Sequence, residues 1–132
     1  MRHLILLAAI VTISLSASRC GTGKSKSTAA PEEGLYKGKL EIKALCMNYT
    51  IRIMDGSTDT SLVAASWTDE SSGKSYENVF GLGSPCTFPD SIAQGDEFYF
   101  KIDTSTVQNC AVCMAYYPTP PKRLSIKIID KK

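Results

Sequence analysis

The chain has 132 residues, of which 43% are hydrophobic and 21% charged, and its 15 basic side chains nearly balance 13 acidic ones. This length and composition predict one folded domain and exclude a disordered acidic tail or a basic nucleic-acid-binding arm. The single histidine, His3, lies in a segment that we expect to be removed from the mature protein. Without an imidazole the mature chain cannot build Ser-His-Asp or Cys-His catalytic machinery, so we expect that the protein is not an enzyme.

Residues 1–19 have the pattern of a secretory signal peptide. Arg2 gives the segment a cationic start, an apolar run follows from Leu4 to Ile13, and small residues come next. This order is typical of a signal peptide. The apolar run is too short for a membrane-spanning helix, which needs roughly 20 residues.

Cys20 stands at the head of a predicted flexible tether. Residues 21–33 read GTGKSKSTAAPEE and contain no large apolar side chain, a composition typical of a solvated linker. The arrangement resembles that of bacterial lipoproteins, and the resemblance implies that Cys20 carries the acyl groups that anchor the chain to the outer membrane or the periplasmic side of the envelope. Arg19 departs from the small residue that usually precedes such a cysteine. Cleavage after Ser18, giving a secreted protein, is the alternative.

Residues 34–132 form the predicted folded domain, because apolar and polar residues alternate as they do in strands with one buried face. One such face contains Leu40 and Ile42, and another contains Phe98, Phe100 and Ile102. The predicted strands cover residues 39–44, 50–53, 61–67, 76–82, 96–102 and 124–128, and the run 110–117 is also β-prone. Asp55-Gly56 predicts a turn, and residues 90–95 predict one short helical turn capped by Gly95.

These elements predict an all-β domain, a small closed or partly open antiparallel barrel of about five to six strands, with a β-sandwich as the alternative. The phrase from Phe88 to Phe100 resembles the junction between the helix and the fourth strand of an OB-type barrel, which implies that fold. Such barrels bind nucleic acid through a basic groove. Residues 34–130 carry nine basic and eleven acidic side chains, so we expect no nucleic-acid partner.

The same segment resembles small exported lipoproteins of Bacteroidetes-type bacteria. The resemblance depends on the isolated Cys46 and Cys86, the run from Asn109 to Cys113 and the proline-rich stretch that follows it. It implies a location and no activity. The expected partners are the membrane, through the lipid anchor, and a protein or small-molecule ligand, and we expect a monomer.

Four cysteines remain in the domain after Cys20: Cys46, Cys86, Cys110 and Cys113. An even number of cysteines in a small exported domain predicts disulfides, and four cysteines allow three pairings. One alternative is a zinc site built from four thiolates. Another is a redox-active pair formed by Cys110 and Cys113. The disulfide interpretation needs no cofactor.

A candidate ligand patch consists of Trp67, Tyr99, Tyr116 and Tyr117, although packing in the core or at the barrel mouth would also explain these aromatic residues. We interpret the protein as a lipid-anchored, non-enzymatic binding or interaction module. The alternatives are a thiol redox or metal protein that uses Cys110 and Cys113, and an inhibitor of another enzyme.

Overall fold

The computed structural model describes residues 33–55, 59–105 and 108–130. The predicted signal peptide, Cys20 and nearly all of the tether lie outside these residues, as does Gly56 of the predicted turn. In the part of the chain that is described, no helix has the length and apolar character needed to cross a membrane.

The described residues fold into seven strands and two single 3₁₀ turns. The strands are β1 (Tyr36–Lys43), β2 (Tyr49–Asp55), β3 (Ala64–Thr68), β4 (Ser75–Leu82), β5 (Glu97–Ile102), β6 (Arg123–Leu124) and β7 (Ile126–Ile129). The first 3₁₀ turn, Leu45–Met47, joins β1 to β2, and the second, Pro85–Thr87, follows β4. The predicted all-β class is confirmed.

The strands are hydrogen-bonded in the order β3-β4-β2-β1-β5-β7. The two-residue strand β6 pairs with β4 in parallel, whereas the other described strand pairs are antiparallel. Because β6 and β7 are separated by Ser125 alone, the C-terminal segment contacts β4 on one side and β5 on the other. The buried Ser84 hydroxyl reinforces this junction, since it accepts from the Ile126 N–H at 2.9 Å and donates to the Ile126 carbonyl at 3.0 Å. The arrangement is compatible with the expected partly open barrel and with the β-sandwich alternative.

The inner core consists of alternate residues of these strands, and aromatic rings fill its centre. The Phe100 ring lies 5.7 Å from that of Phe80 and 6.1 Å from that of Phe98, measured between centroids. Gly38 leaves the space for this cluster, because a Cβ atom at that position would lie 2.9 Å from the Phe100 ring. The predicted burial of Phe98 and Phe100 on one face of β5 is confirmed.

A β-bulge in β1 overturns the prediction that Leu40 and Ile42 share one buried face. Leu40 pairs with Ile51 and Ile42 with Thr50, so the register shifts at Glu41. An extra residue reverses the alternation of the strand beyond it. Leu40 therefore packs in the inner core, whereas Ile42 packs in a second cluster around Tyr76 and Val79.

The loop between β4 and β5 contains two successive β-turns, and the predicted helical turn at residues 90–95 is wrong. The Ile92 N–H donates to the Pro89 carbonyl at 3.3 Å, and the Asp96 N–H donates to the Ala93 carbonyl at 3.1 Å. The Lys43 ammonium also donates to two carbonyls of this loop, at 2.8 and 2.9 Å. Lys43 on β1 therefore occupies carbonyl groups that would accept the backbone hydrogen bonds of a local helix.

Candidate functional site

Residues 108–118, which we call the strap, cross the outside of the barrel between β5 and β6. The strap has no helix or strand, and from residue 111 to its end at residue 118 it makes no turn or bend. Among the described residues, none of the backbone–backbone hydrogen bonds of loops and turns involves residues 109–118. The run 110–117 is therefore an extended segment outside the sheet, and not the strand that its composition predicts.

Two disulfides fasten the strap to the two 3₁₀ turns. Cys113 is bonded to Cys46 in the first turn, with their Cα atoms 5.2 Å apart, and Cys110 is bonded to Cys86 in the second, with a Cα separation of 5.6 Å. The predicted disulfides are confirmed, and the structure selects one of the three pairings. Cys110 and Cys113 are not bonded to each other, so they do not form the redox pair considered above, and no cysteine of the four is a free thiolate for zinc.

A hydrogen bond from Asn48 holds the strap just beyond its second disulfide. The Asn48 side-chain amide donates to the Ala115 carbonyl at 2.9 Å and to the Leu45 carbonyl, also at 2.9 Å. The strap and the first turn thus share one donor group.

The first turn has a strained backbone, since Cys46 and Met47 have φ angles of +57° and +55°, a region that non-glycine residues adopt at a cost.

The end of the strap is fixed by Asp69, which is almost fully buried in the loop between β3 and β4. Its carboxylate accepts hydrogen bonds from the Ser72 hydroxyl at 2.6 Å, the Ser71 N–H at 3.0 Å and the Tyr117 hydroxyl at 3.3 Å. Burial alone would raise the pKa of Asp69, but these donors outweigh burial and the net pKa lies below its ordinary value. Asp69 is therefore a structural carboxylate that joins the strap to the β3–β4 hairpin.

The outer side of the strap carries a row of exposed apolar side chains. Val112, Met114 and Tyr116 are 45%, 94% and 84% exposed, and the two residues between them make the fastening contacts, Cys113 through its sulfur and Ala115 through its backbone carbonyl. Cys113 and Ala115 are exposed as well, so the row consists of the large apolar side chains of a segment that is exposed throughout. Leu45 is 72% exposed and lies near the row, because its sequence neighbour Cys46 is bonded to Cys113.

The strap lies at an end of the barrel that is poor in charge. Residues 44–51, 78–89 and 104–121, which contain the two turns and the strap, include no Asp, Glu, Lys or Arg. An open groove of ≈ 680 Å³ runs between them and is lined by the Cys46–Cys113 disulfide and by Cys110 of the other disulfide. Of the described residues that line this groove, Arg123 is the one that carries a formal charge.

The four aromatic residues of the predicted ligand patch have different surroundings. Trp67 stacks on Tyr76 with ring centroids 6.0 Å apart, and Trp67 and Tyr117 both pack against the second cluster. Tyr116 points into solvent from the strap. Tyr99 lies on β5, opposite Ile129 of β7, beside a separate shallow cavity. Tyr116 alone among them belongs to the exposed row.

Sequence reasoning missed Leu45, Val112, Met114 and Asn48 as candidate functional residues. The alternation of residues 112, 114 and 116 within an uncharged run of the sequence was the available signal, but it also fits a buried strand.

Within the described ranges, no group of three or more His, Cys, Asp or Glu side chains is placed to hold a metal ion. No protein-family model, curated protein or solved structure matches this chain.

Proposed function

We propose that this protein is a lipid-anchored envelope protein that acts as an interaction module and binds another protein through the strap. The observation that carries the proposal is the exposed row on a segment that two disulfides hold in place. The centres of protein interfaces are depleted in charged residues and enriched in methionine and aromatic residues, which matches the composition of this end of the barrel. A segment that is already ordered loses less entropy on binding.

The position of the strap suits a protein that is anchored at its N-terminus. The tether enters the domain just before β1, and the first turn with Cys46 follows the other end of that strand. At about 3.3 Å per residue, the length of β1 separates these two points by roughly 26 Å. An anchor on Cys20 would therefore leave the strap on the side of the domain that faces away from the tether.

The proposed role is not catalytic. The mature chain would contain no histidine, and its four remaining cysteines are used in disulfides. Disulfides are usual in exported proteins and support the proposed location outside the cytoplasm. Inhibition of another enzyme is a second candidate function, and it is favoured because both disulfides fasten the same exposed segment.

The experiment is the intact mass of the native protein, isolated from membranes and alkylated without reductant. We expect a mass that corresponds to acylated Cys20, with no alkylation of the other four cysteines. The matched control is Cys20→Ser, which should leave the membrane fraction. A lipid-free chain that begins after Ser18 would contradict the anchor, and alkylation of Cys110 or Cys113 would contradict the fixed strap.

A further inference from the structure

We propose that the strap presents the Met114–Ala115 peptide bond to a serine endopeptidase with an apolar primary pocket, and that the protein inhibits this enzyme. The inference rests on the proposed role of the strap as a binding surface and specifies the partner. Extended chains bind to other proteins largely through their main-chain groups, and pockets for alternate side chains provide specificity. The strap offers an extended backbone without described backbone partners and a row of alternate side chains.

Met114 is the residue that best fits a primary pocket. It is the most exposed of the large hydrophobic side chains in the described domain, at 94%. Methionine is long, unbranched and adaptable, so it can enter a deep apolar slot. In serine endopeptidases this pocket determines the preferred residue, and an apolar slot and a carboxylate-bearing pocket select different side chains. Because residues 104–121 contain no Lys or Arg, the strap fits an enzyme with the apolar slot.

Both sides of the Met114–Ala115 bond are held to the same short stretch of the chain. On the N-terminal side, Cys113 is bonded to Cys46, and on the C-terminal side the Ala115 carbonyl accepts the hydrogen bond from Asn48. Cys110 and Tyr117 provide a further fastening on each side, through Cys86 and Asp69. Cleavage of the bond would therefore leave two new ends that remain close together.

Because the two new ends stay together, the strap acts as an inhibitor of the enzyme and not as its substrate. The serine oxygen of the enzyme attacks the Met114 carbonyl carbon, the C–N bond breaks, and the serine proton passes through the enzyme's base to the Ala115 nitrogen, which leaves as an amine. In a flexible substrate the amine diffuses away and water hydrolyses the ester. In the strap the amine stays beside the ester at a high effective concentration, attacks it, re-forms the peptide bond and returns the proton and the serine hydroxyl to the enzyme.

The test uses the mature, oxidised protein with active-site-titrated chymotrypsin and subtilisin, which have apolar pockets, and with trypsin, which prefers basic residues. We expect stoichiometric inhibition of chymotrypsin or subtilisin and no inhibition of trypsin. Mass spectrometry of the complex should find any cleaved form cut between Met114 and Ala115. Absence of inhibition of both apolar-pocket enzymes, or rapid digestion of the strap, would overturn the proposal.

The decisive variant is Met114→Lys, which changes a solvent-exposed side chain and so leaves the fold intact. We expect it to weaken inhibition of the apolar-pocket enzyme by about 100-fold and to create inhibition of trypsin. The matched control, Met54→Lys at the end of β2, places the same change on an exposed methionine away from the strap and should alter neither activity. A Met114→Lys protein that trypsin simply digests would refute the proposal.

Asn48→Ala provides an independent readout of the fastening on the C-terminal side. It should leave the specificity unchanged and increase the rate at which the cleaved form accumulates, because the Ala115 amine is held less firmly. An unchanged rate would contradict the role given to Asn48. If inhibition fails while the native mass still includes the acyl groups and two intact disulfides, the endopeptidase inference falls and the anchored interaction module stands.

Discussion

Asn48 and Ala115 are joined by a side-chain-to-backbone hydrogen bond of 2.9 Å, although 67 residues separate them in the sequence. The strap lies outside the sheet, so this bond and the disulfides replace the ladder that would otherwise hold an extended segment. The same amide group donates to the Leu45 carbonyl. Asn48 therefore couples the strained first turn to the segment that we propose as the binding surface.

Replacement of Asn48 tests whether the donor or merely the shape of the side chain matters. Asn48→Ala removes two hydrogen bonds and should lower the free energy of unfolding by about 1–2 kcal/mol. Asn48→Asp keeps the shape but places a carboxylate against two carbonyl oxygens, so it should be the more destabilising change. Urea unfolding measures the free energy, and hydrogen exchange at residues 114–117 measures the release of the strap. An Asp variant as stable as the wild type would show that the amide does not donate.

Gly83 allows the close approach of β4 to β6. A Cβ atom at Gly83 would lie 2.8 Å from the carbonyl carbon of Leu124, which is backbone and cannot turn aside. Gly83→Ala should therefore cost about 1–3 kcal/mol in urea unfolding, as overpacking does in well-packed cores. Gly81→Ala is the matched control, because its Cβ would meet side-chain atoms of Arg123 and Thr119 at 3.4 Å, which can shift. Equal costs at the two positions would refute this account.

Local pattern was sufficient to predict most of the strands. In β5 the alternation of Phe98 and Phe100 with polar neighbours predicts the buried face, and the structure confirms it, because no bulge interrupts that strand. In β1 the same reasoning fails at Ile42. The register shift at Glu41 is a property of the pairing with β2, and nothing in the sequence of β1 alone reveals it.

The strap was the least predictable part of the molecule. Its apolar, β-prone composition predicts a strand, but its fastenings come from residues far away in the sequence, Cys46, Asn48 and Asp69. Four cysteines allow three pairings, and the choice depends on which turns the barrel brings under the strap. Composition therefore predicted the disulfides, and only the three-dimensional arrangement identified the segment that they hold.

The low pKa of Asp69 predicts a contribution to stability that is lost in acid. Since hydrogen bonds hold the folded-state pKa below the ordinary value of 3.8, the carboxylate stabilises the fold above the unfolded pKa. This contribution disappears as the pH falls through the folded pKa. Asp69→Asn should therefore flatten the acid limb of the stability-against-pH curve measured by urea unfolding. A variant with the same acid slope as the wild type would contradict the role of Asp69.

Tyr117→Phe measures how much of the lowering of the Asp69 pKa comes from the strap and how much comes from the β3–β4 hairpin. The change removes one donor to Asp69 and keeps the ring that packs on the second cluster. The folded-state pKa of Asp69 should rise toward its unfolded value, so the stability that Asp69 contributes above the unfolded pKa should be smaller than in the wild type, and its loss should be complete at a higher pH. Tyr116→Phe, at the exposed neighbouring position, is the control and should leave the curve unchanged. The Asp69 pKa can be followed directly by NMR titration of its carboxyl carbon.

The two disulfides should contribute unequally to stability. Cys46–Cys113 closes a sequence separation of 67 residues, and Cys86–Cys110 closes one of 24. In the chain-entropy model these loops correspond to about 4.4 and about 3.4 kcal/mol, respectively. Replacing both cysteines of the longer loop with serine should therefore lower the free energy of unfolding by about 1 kcal/mol more than the same replacement in the shorter loop. Because Cys113 adjoins Met114, loss of the longer loop should also speed proteolysis within the strap. Greater destabilisation by loss of Cys86–Cys110 would mean that native contacts around the second turn, and not loop closure, set the difference.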